Sequence, residues 1–124
     1  MTLIQLIKAR QIVAKYAGEK ISTALSYKLV KFIKATDNDE SFYNDKLKSI
    51  LETYVEKDDE GNYVQHGNGF KIKPDQIQEC NKENLELENT EVTLPDIHFT
   101  VSELEDLKLS MREILSLDEL ITEE

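Results

Sequence analysis

From Ser22 to Glu56 a single apolar period runs through the chain without changing phase. Leu25, Leu29, Phe32, Ile33, Thr36, Tyr43, Leu47, Ile50, Leu51 and Tyr54 recur in steps of three and four, the spacing of one face of an α-helix. Ser22 or Thr23 stands where a helix N-cap is needed. The run Asp37-Asn38-Asp39-Glu40 favours caps and turns and is the one place where such a helix would break. The phase persists across it, so one helix over roughly 22–56 is expected. At 1.5 Å per residue it would be about 50 Å long. A compact domain of this size has a radius of gyration of only about 14 Å. A rod that outreaches its own domain is expected to be covered by a second copy, which makes a homo-oligomer the expected state.

The charges are sorted along the chain. Residues 1–34 hold seven cations and the single acid Glu19, a net of +6; the remaining residues hold eight cations and twenty-four acids, a net of −16. A basic helical head on an acidic body can hold a sister subunit, hold an anion, or close on itself. The overall net charge of −10 makes nucleic acid an unlikely partner for the surface as a whole. It leaves room for a local basic site, for an acidic face that mimics nucleic acid, and for the simplest reading, solubility.

The other elements follow from local signals. Leu3, Ile4, Leu6, Ile7, Ile12, Val13 and Tyr16 predict a first helix over about residues 3–17, stopped by Gly18, with an apolar face wide enough for burial on two sides. Asp58 to Asn62 turn the chain. Tyr63-Val64 and Phe70-Lys71-Ile72 flank His66-Gly67-Asn68-Gly69, a β-hairpin pattern. Pro74 opens a third helix over about 75–88, with Ile77, Cys80, Asn84 and Leu87 or Leu85 inward. Glu91 to Phe99 alternates as one or two strands, with Pro95 at an edge or a kink. Ser102 with Glu105 and Ser110 with Glu113 form capping boxes. The second box starts a last helix over about 111–121, with Met111, Ile114, Leu115, Leu117, Leu120 and Ile121 as its apolar residues. The acidic end, Thr122 to Glu124, is expected to fray. The fold class is α+β in a single domain. An N-terminal α-helical hairpin with one long helix (1–57) precedes a β-hairpin and a small, acidic mixed helix/strand segment (58–124).

Few residues invite chemistry. No apolar run approaches the ~20 residues of a membrane span, and the start has no signal-peptide cleavage pattern. The single Cys80 excludes an internal disulfide, suits a reducing cytosol, and reads as a small buried thiol. Its neighbours Glu79 and Glu83 would raise a thiol pKa, which disfavours nucleophilic catalysis. His66 and His98 lie far apart in the chain, so no metal site is read, and no cofactor motif is present. Nothing indicates an enzyme.

One constellation stands out. Lys28, Lys31 and Lys34 step along the start of the long helix with Tyr27 and Phe32 between them, and Arg10 and Lys15 can face them from the first helix. Cations beside a ring suit a nucleotide, with charge on phosphate and the ring on the base. Arg10, Lys28 and Lys31 for phosphate and Tyr27 for stacking are the candidate ligand-binding residues. The competing readings are a solvated helix face whose lysine stems cover apolar surface, or lysines paired with a neighbouring subunit.

Four segments carry a resemblance. These are Ser22–Lys34, the Asp59–Val64 turn, Asn81–Val92 and Leu109–Glu124. They resemble a family of small uncharacterised proteins of phages and prophages of Gram-positive bacteria. The resemblance spans nearly the whole chain, but its motifs are caps and apolar periodicity, and it brings no catalytic residues. It implies a non-enzymatic phage accessory protein in the host cytoplasm. Such a protein would act by binding, as an anti-defence factor against a host immune protein or a nucleotide immune signal. The alternative is a structural or assembly protein of the phage.

Overall fold

A computed structural model describes residues 1–123 and bears out the mixed α+β architecture. Helix α1 spans Leu3–Lys15, and α2 spans Thr23–Tyr54, 32 residues without interruption. Ser22 caps α2, its side chain accepting from the Leu25 N–H. The Asp37–Glu40 run stays helical. Helix α1 ends two residues earlier than expected, in a turn closed by Tyr16 N–H to Val13 O and Ala17 N–H to Ala14 O.

After α2 the chain remains extended. Val55 and Lys57 bridge Ile72 and Tyr63, so the end of the helix feeds a strand-like segment between the arms of the hairpin. The hairpin itself pairs β1 (Gln65–His66) with β2 (Gly69–Phe70) in antiparallel register. It turns at Gly67, whose φ of +61° only glycine adopts freely. The loop before it is tied by the Asp58 carboxylate, which accepts from the N–H groups of Glu60 and Asn62, and by Gly61 at φ +84°.

Pro74 opens a 3₁₀ turn that leads into α3 (Ile77–Glu88). Cys80 and Leu87 are its buried residues, so of the alternatives Leu87 and Leu85 it is Leu87 that turns inward; Ile77, expected inside, is exposed. Residues 91–98 form less strand than the alternation suggests. Glu91 bridges Thr2, and the chain then bends about Pro95, where the Ile97 N–H reaches the Pro95 carbonyl. Val92, Leu94 and Ile97 instead pack individually against the core.

Strand β3 (Phe99–Thr100) pairs in parallel with β4 (Ile121–Thr122), so Thr122 is ordered by pairing, while Glu124 lies outside the described residues. Between them run α4 (Val101–Leu104) and α5 (Met111–Leu117). The capping box of α4 is Thr100 with Glu103, two residues ahead of the expected Ser102 with Glu105. Thr100 has the extended backbone an N-cap needs, because it belongs to β3. The box at Ser110 and Glu113 is as expected. On α5 only Leu117 is buried, with Leu120 just beyond; Met111, Ile114 and Leu115 are exposed.

Two apolar clusters hold the fold. One joins Leu6, Ala9 and Val13 of α1 to Leu25, Leu29 and Phe32 of α2 and to Phe99, Leu104, Leu107, Leu117 and Leu120. The other joins Leu3 and Ile7 to Ile50, Tyr54, Cys80 and Leu87. Helix α1 is therefore buried on two sides within one chain, and it touches α2, α3 and α5. Between Thr36 and Ile50 no residue of α2 is buried.

The turn after α4 ends on Lys108 in the left-handed region, at φ 51° and ψ 54°. A Cβ there is strained by about 1–2 kcal/mol. Lys108→Gly is expected to raise stability by about 0.5–1 kcal/mol after the extra chain entropy of glycine is counted, seen as a higher urea midpoint at unchanged m-value.

Candidate functional site

The four residues singled out from the sequence do not form one site. Arg10 is buried and fully engaged. Its Nη1 donates to the Ile33 carbonyl at 2.7 Å and to the Thr36 hydroxyl, its Nε to Glu40 at 2.8 Å, and its Nη2 to Asp37 at 3.0 Å. Burial opposes this charge, but Glu40 and Asp37 outweigh that cost, so the guanidinium titrates above its ordinary value. Lys28 is half-buried, bonded to both oxygens of Glu103 at 2.9 and 3.1 Å and lying 5.3 Å from the Phe99 ring centre. Lys31 lies over the exposed Tyr27 ring, 5.5 Å from its centre.

Helix geometry explains the dispersal. At about 100° per residue, Lys28 and the partners of Arg10 (Ile33, Asp37, Glu40) project on nearly opposite sides of α2. Tyr27 and Lys31 occupy the solvent ridge between them. Farther along that ridge Phe42 is also exposed, with the Lys46 ammonium 5.9 Å from its ring centre.

The basic head meets the acidic body within the chain. The Lys28 partner, Glu103, also accepts from the Thr100 N–H and hydroxyl. Glu113 accepts from the Ser110 N–H, from Lys15 at 3.2 Å and from the Tyr16 hydroxyl. Each capping-box glutamate thus closes its own helix and clamps a cation of the head. Of the head's cations, Lys8, Lys20, Lys31 and Lys34 carry no ion pair among the described residues.

On the far side of Arg10 the helical hairpin leaves an open groove of about 530 Å³. Val13, Leu29 and Ile33 form its floor, and Val30 and Ile21 its walls; Ala14 and Ala17 are too short to close it from α1. Lys34, Glu19 and the Arg10–Glu40 pair rim it. The sequence reading missed this feature. Its one legible sign is Val30, an apolar residue out of phase with the inner stripe and 47% exposed.

Little here suits bond making. Burial, then Glu83, raises the Cys80 thiol, which is a poor nucleophile at neutral pH. Among the described residues no three His, Cys, Asp or Glu side chains gather as a metal needs, and no helix is long and apolar enough to cross a membrane. No protein-family model, curated protein or solved structure matches the chain.

Two expectations follow. Arg10→Ala leaves Thr36 buried without its donor and two carboxylates unopposed. It should destabilise by about 2–3 kcal/mol in urea unfolding, less than a fully buried pair because Asp37 and Glu40 remain half in water. The second concerns pH. Bonds from the Thr100 backbone and then Lys28 hold Glu103 below the usual carboxylate range, and the Ser110 backbone and then Lys15 do the same for Glu113, against some burial. A carboxylate with a lowered folded pKa stabilises above its unfolded value and loses that contribution as pH falls through the folded one. Stability should therefore hold from neutral pH down to about pH 5 and decline below the ordinary carboxylate pKa. The double variant Glu103→Gln/Glu113→Gln should show a shallower decline.

Proposed function

We propose that this protein is a non-enzymatic phage accessory factor that self-associates and acts in the host cytoplasm by binding a host defence protein. The observation that supports a protein target is the outer ridge of α2. Tyr27 is 66% and Phe42 46% exposed, about 22 Å apart along the helix, and each has a lysine over its ring. Exposed aromatics backed by cations on a rigid helix are the side chains that anchor protein interfaces. The phage context rests on the resemblance carried by Ser22–Lys34, Asp59–Val64, Asn81–Val92 and Leu109–Glu124.

A second reading, capture of an anionic nucleotide signal, is favoured by one observation, the open Lys31–Tyr27 pair. It is weakened by Arg10 and Lys28, whose donors already hold carboxylates. Exchanging a carboxylate for a phosphate would expose an acid that the fold uses.

Expressed in a bacterial host that restricts phage through an active defence system, the protein should raise phage plating. Tyr27→Ala/Phe42→Ala should abolish the gain while leaving the circular dichroism spectrum and the assembly state unchanged. No gain against any defence system tested, or a gain that survives the double substitution, overturns the reading. A titration with nucleotides separates the alternatives: saturable binding weakened by Lys31→Glu selects the nucleotide signal instead.

A further inference from the structure

The α5 helix presents what the α1–α2 groove lacks. Met111, Ile114 and Leu115 are 79%, 45% and 68% exposed, and they stand at positions i, i+3 and i+4 of one outward stripe. Asp118 extends the same stripe at i+7, exposed and with no ion pair among the described residues. That spacing is the anchor set of a helix that lies in an apolar groove. The groove has an apolar floor, and Lys34, on its rim, is likewise exposed and unpaired. An apolar stripe thus has an apolar groove to enter, and Asp118 on one can meet Lys34 on the other, while Glu40 on the same rim is already held by Arg10 and Glu19 stands beyond the far end of α1.

We infer that copies of this chain join head to tail, the Met111–Ile114–Leu115 face of one seated in the α1–α2 groove of the next, with Asp118 against Lys34. This rests on the self-association proposed above and specifies how it is made. Within one molecule the two surfaces cannot meet. Helix α5 packs along the Lys8, Ile12 and Lys15 side of α1, and its Glu113 holds Tyr16 at the edge of the groove, whereas the groove opens on the Arg10, Ala14 and Ala17 side; α5 is fixed there with its exposed stripe turned to solvent. Two different patches make a heterologous contact. Such a contact propagates into a closed ring or an open chain and does not stop at a two-fold dimer.

Because the two halves of the contact lie on separate surfaces, they can be disabled one at a time in the full chain. Met111→Glu/Leu115→Glu blocks the donor face, and Val30→Glu blocks the groove. Ala14→Phe, which fills the groove with an apolar ring, serves as a second groove variant should Val30→Glu fail to fold. In sedimentation velocity the unaltered protein should form species larger than a dimer that grow with concentration. Each variant alone should sediment as a monomer. An equimolar mixture of donor-blocked and groove-blocked chains should give a single 1:1 complex, because one intact face and one intact groove remain. A mixture that stays monomeric overturns the inference. Assemblies that ignore all three variants also overturn it, while leaving self-association standing by another surface. A chain that is monomeric at every concentration sinks both self-association and this contact. The α2 ridge as a binding surface is judged separately by phage plating.

Discussion

The guanidinium of Arg10 is the fixed point of this fold. It reaches from α1 to four groups on successive turns of α2: the Ile33 carbonyl, the Thr36 hydroxyl, and the Asp37 and Glu40 carboxylates. Planar, forked and permanently charged, it answers several acceptors at once, which an ammonium does not. Thr36, fully buried, also donates to the Phe32 carbonyl, so the polar contact is continuous with the apolar core below it. The site lies where α2 is weakest in intrinsic helix preference. Asp37 and Glu40 would otherwise compete for the backbone or repel each other; facing Arg10, they are bound into the helical arrangement.

That contact lets one rod serve two cores. The cluster around Phe32 and the cluster around Ile50 and Tyr54 share α2, but no buried residue of α2 joins them. Helix α1 joins them instead, with Leu6, Ala9 and Val13 in one and Leu3 and Ile7 in the other. A long helix exposed to water in mid-course is poor at holding itself, since helices depend mainly on tertiary packing. Here it is pinned at both ends by apolar contact and near its centre by charge. The acidic C-terminal segment is then drawn onto the basic head by Glu103 and Glu113. Each satisfies the N-terminal N–H groups of a short helix and a lysine of the head together, so cap geometry and long-range attraction reinforce one another.

Periodicity made the rod legible, and turn and cap residues made the hairpin and the Ser110 box legible, because each depends on residues close in sequence. What stayed hidden depended on partners far along the chain. The sorting of charge was plain, but whether it served another subunit, an anion or the chain itself required knowing that Glu103 and Glu113 reach Lys28 and Lys15. Ser102 and Thr100 are equally good caps on paper; only the pairing of Phe99–Thr100 with Ile121–Thr122 gives Thr100 the extended backbone that decides between them. Arg10 was marked as a cation for phosphate because its carboxylates stand 27 and 30 residues away. The apolar period of α5 was visible, yet a stripe of Met111, Ile114 and Leu115 reads the same whether it faces a core or water. Lys108 gave no sign of its left-handed backbone.

The same distribution of charge argues about what is left for partners. The strongest cation of the head is consumed inside the hairpin, and Lys28 and Lys15 are held by cap glutamates. An anionic ligand would meet mainly Lys8, Lys20, Lys31 and Lys34, long flexible side chains whose ordering costs entropy for each contact made. A protein surface faces no such handicap. Tyr27 and Phe42 are rigid, lie on one ridge of a helix already braced by Arg10, and can be desolvated without opening an internal ion pair. The fold thus spends its best charges on itself and leaves aromatic and aliphatic groups outward, an arrangement that favours contact with other proteins over capture of a small anion.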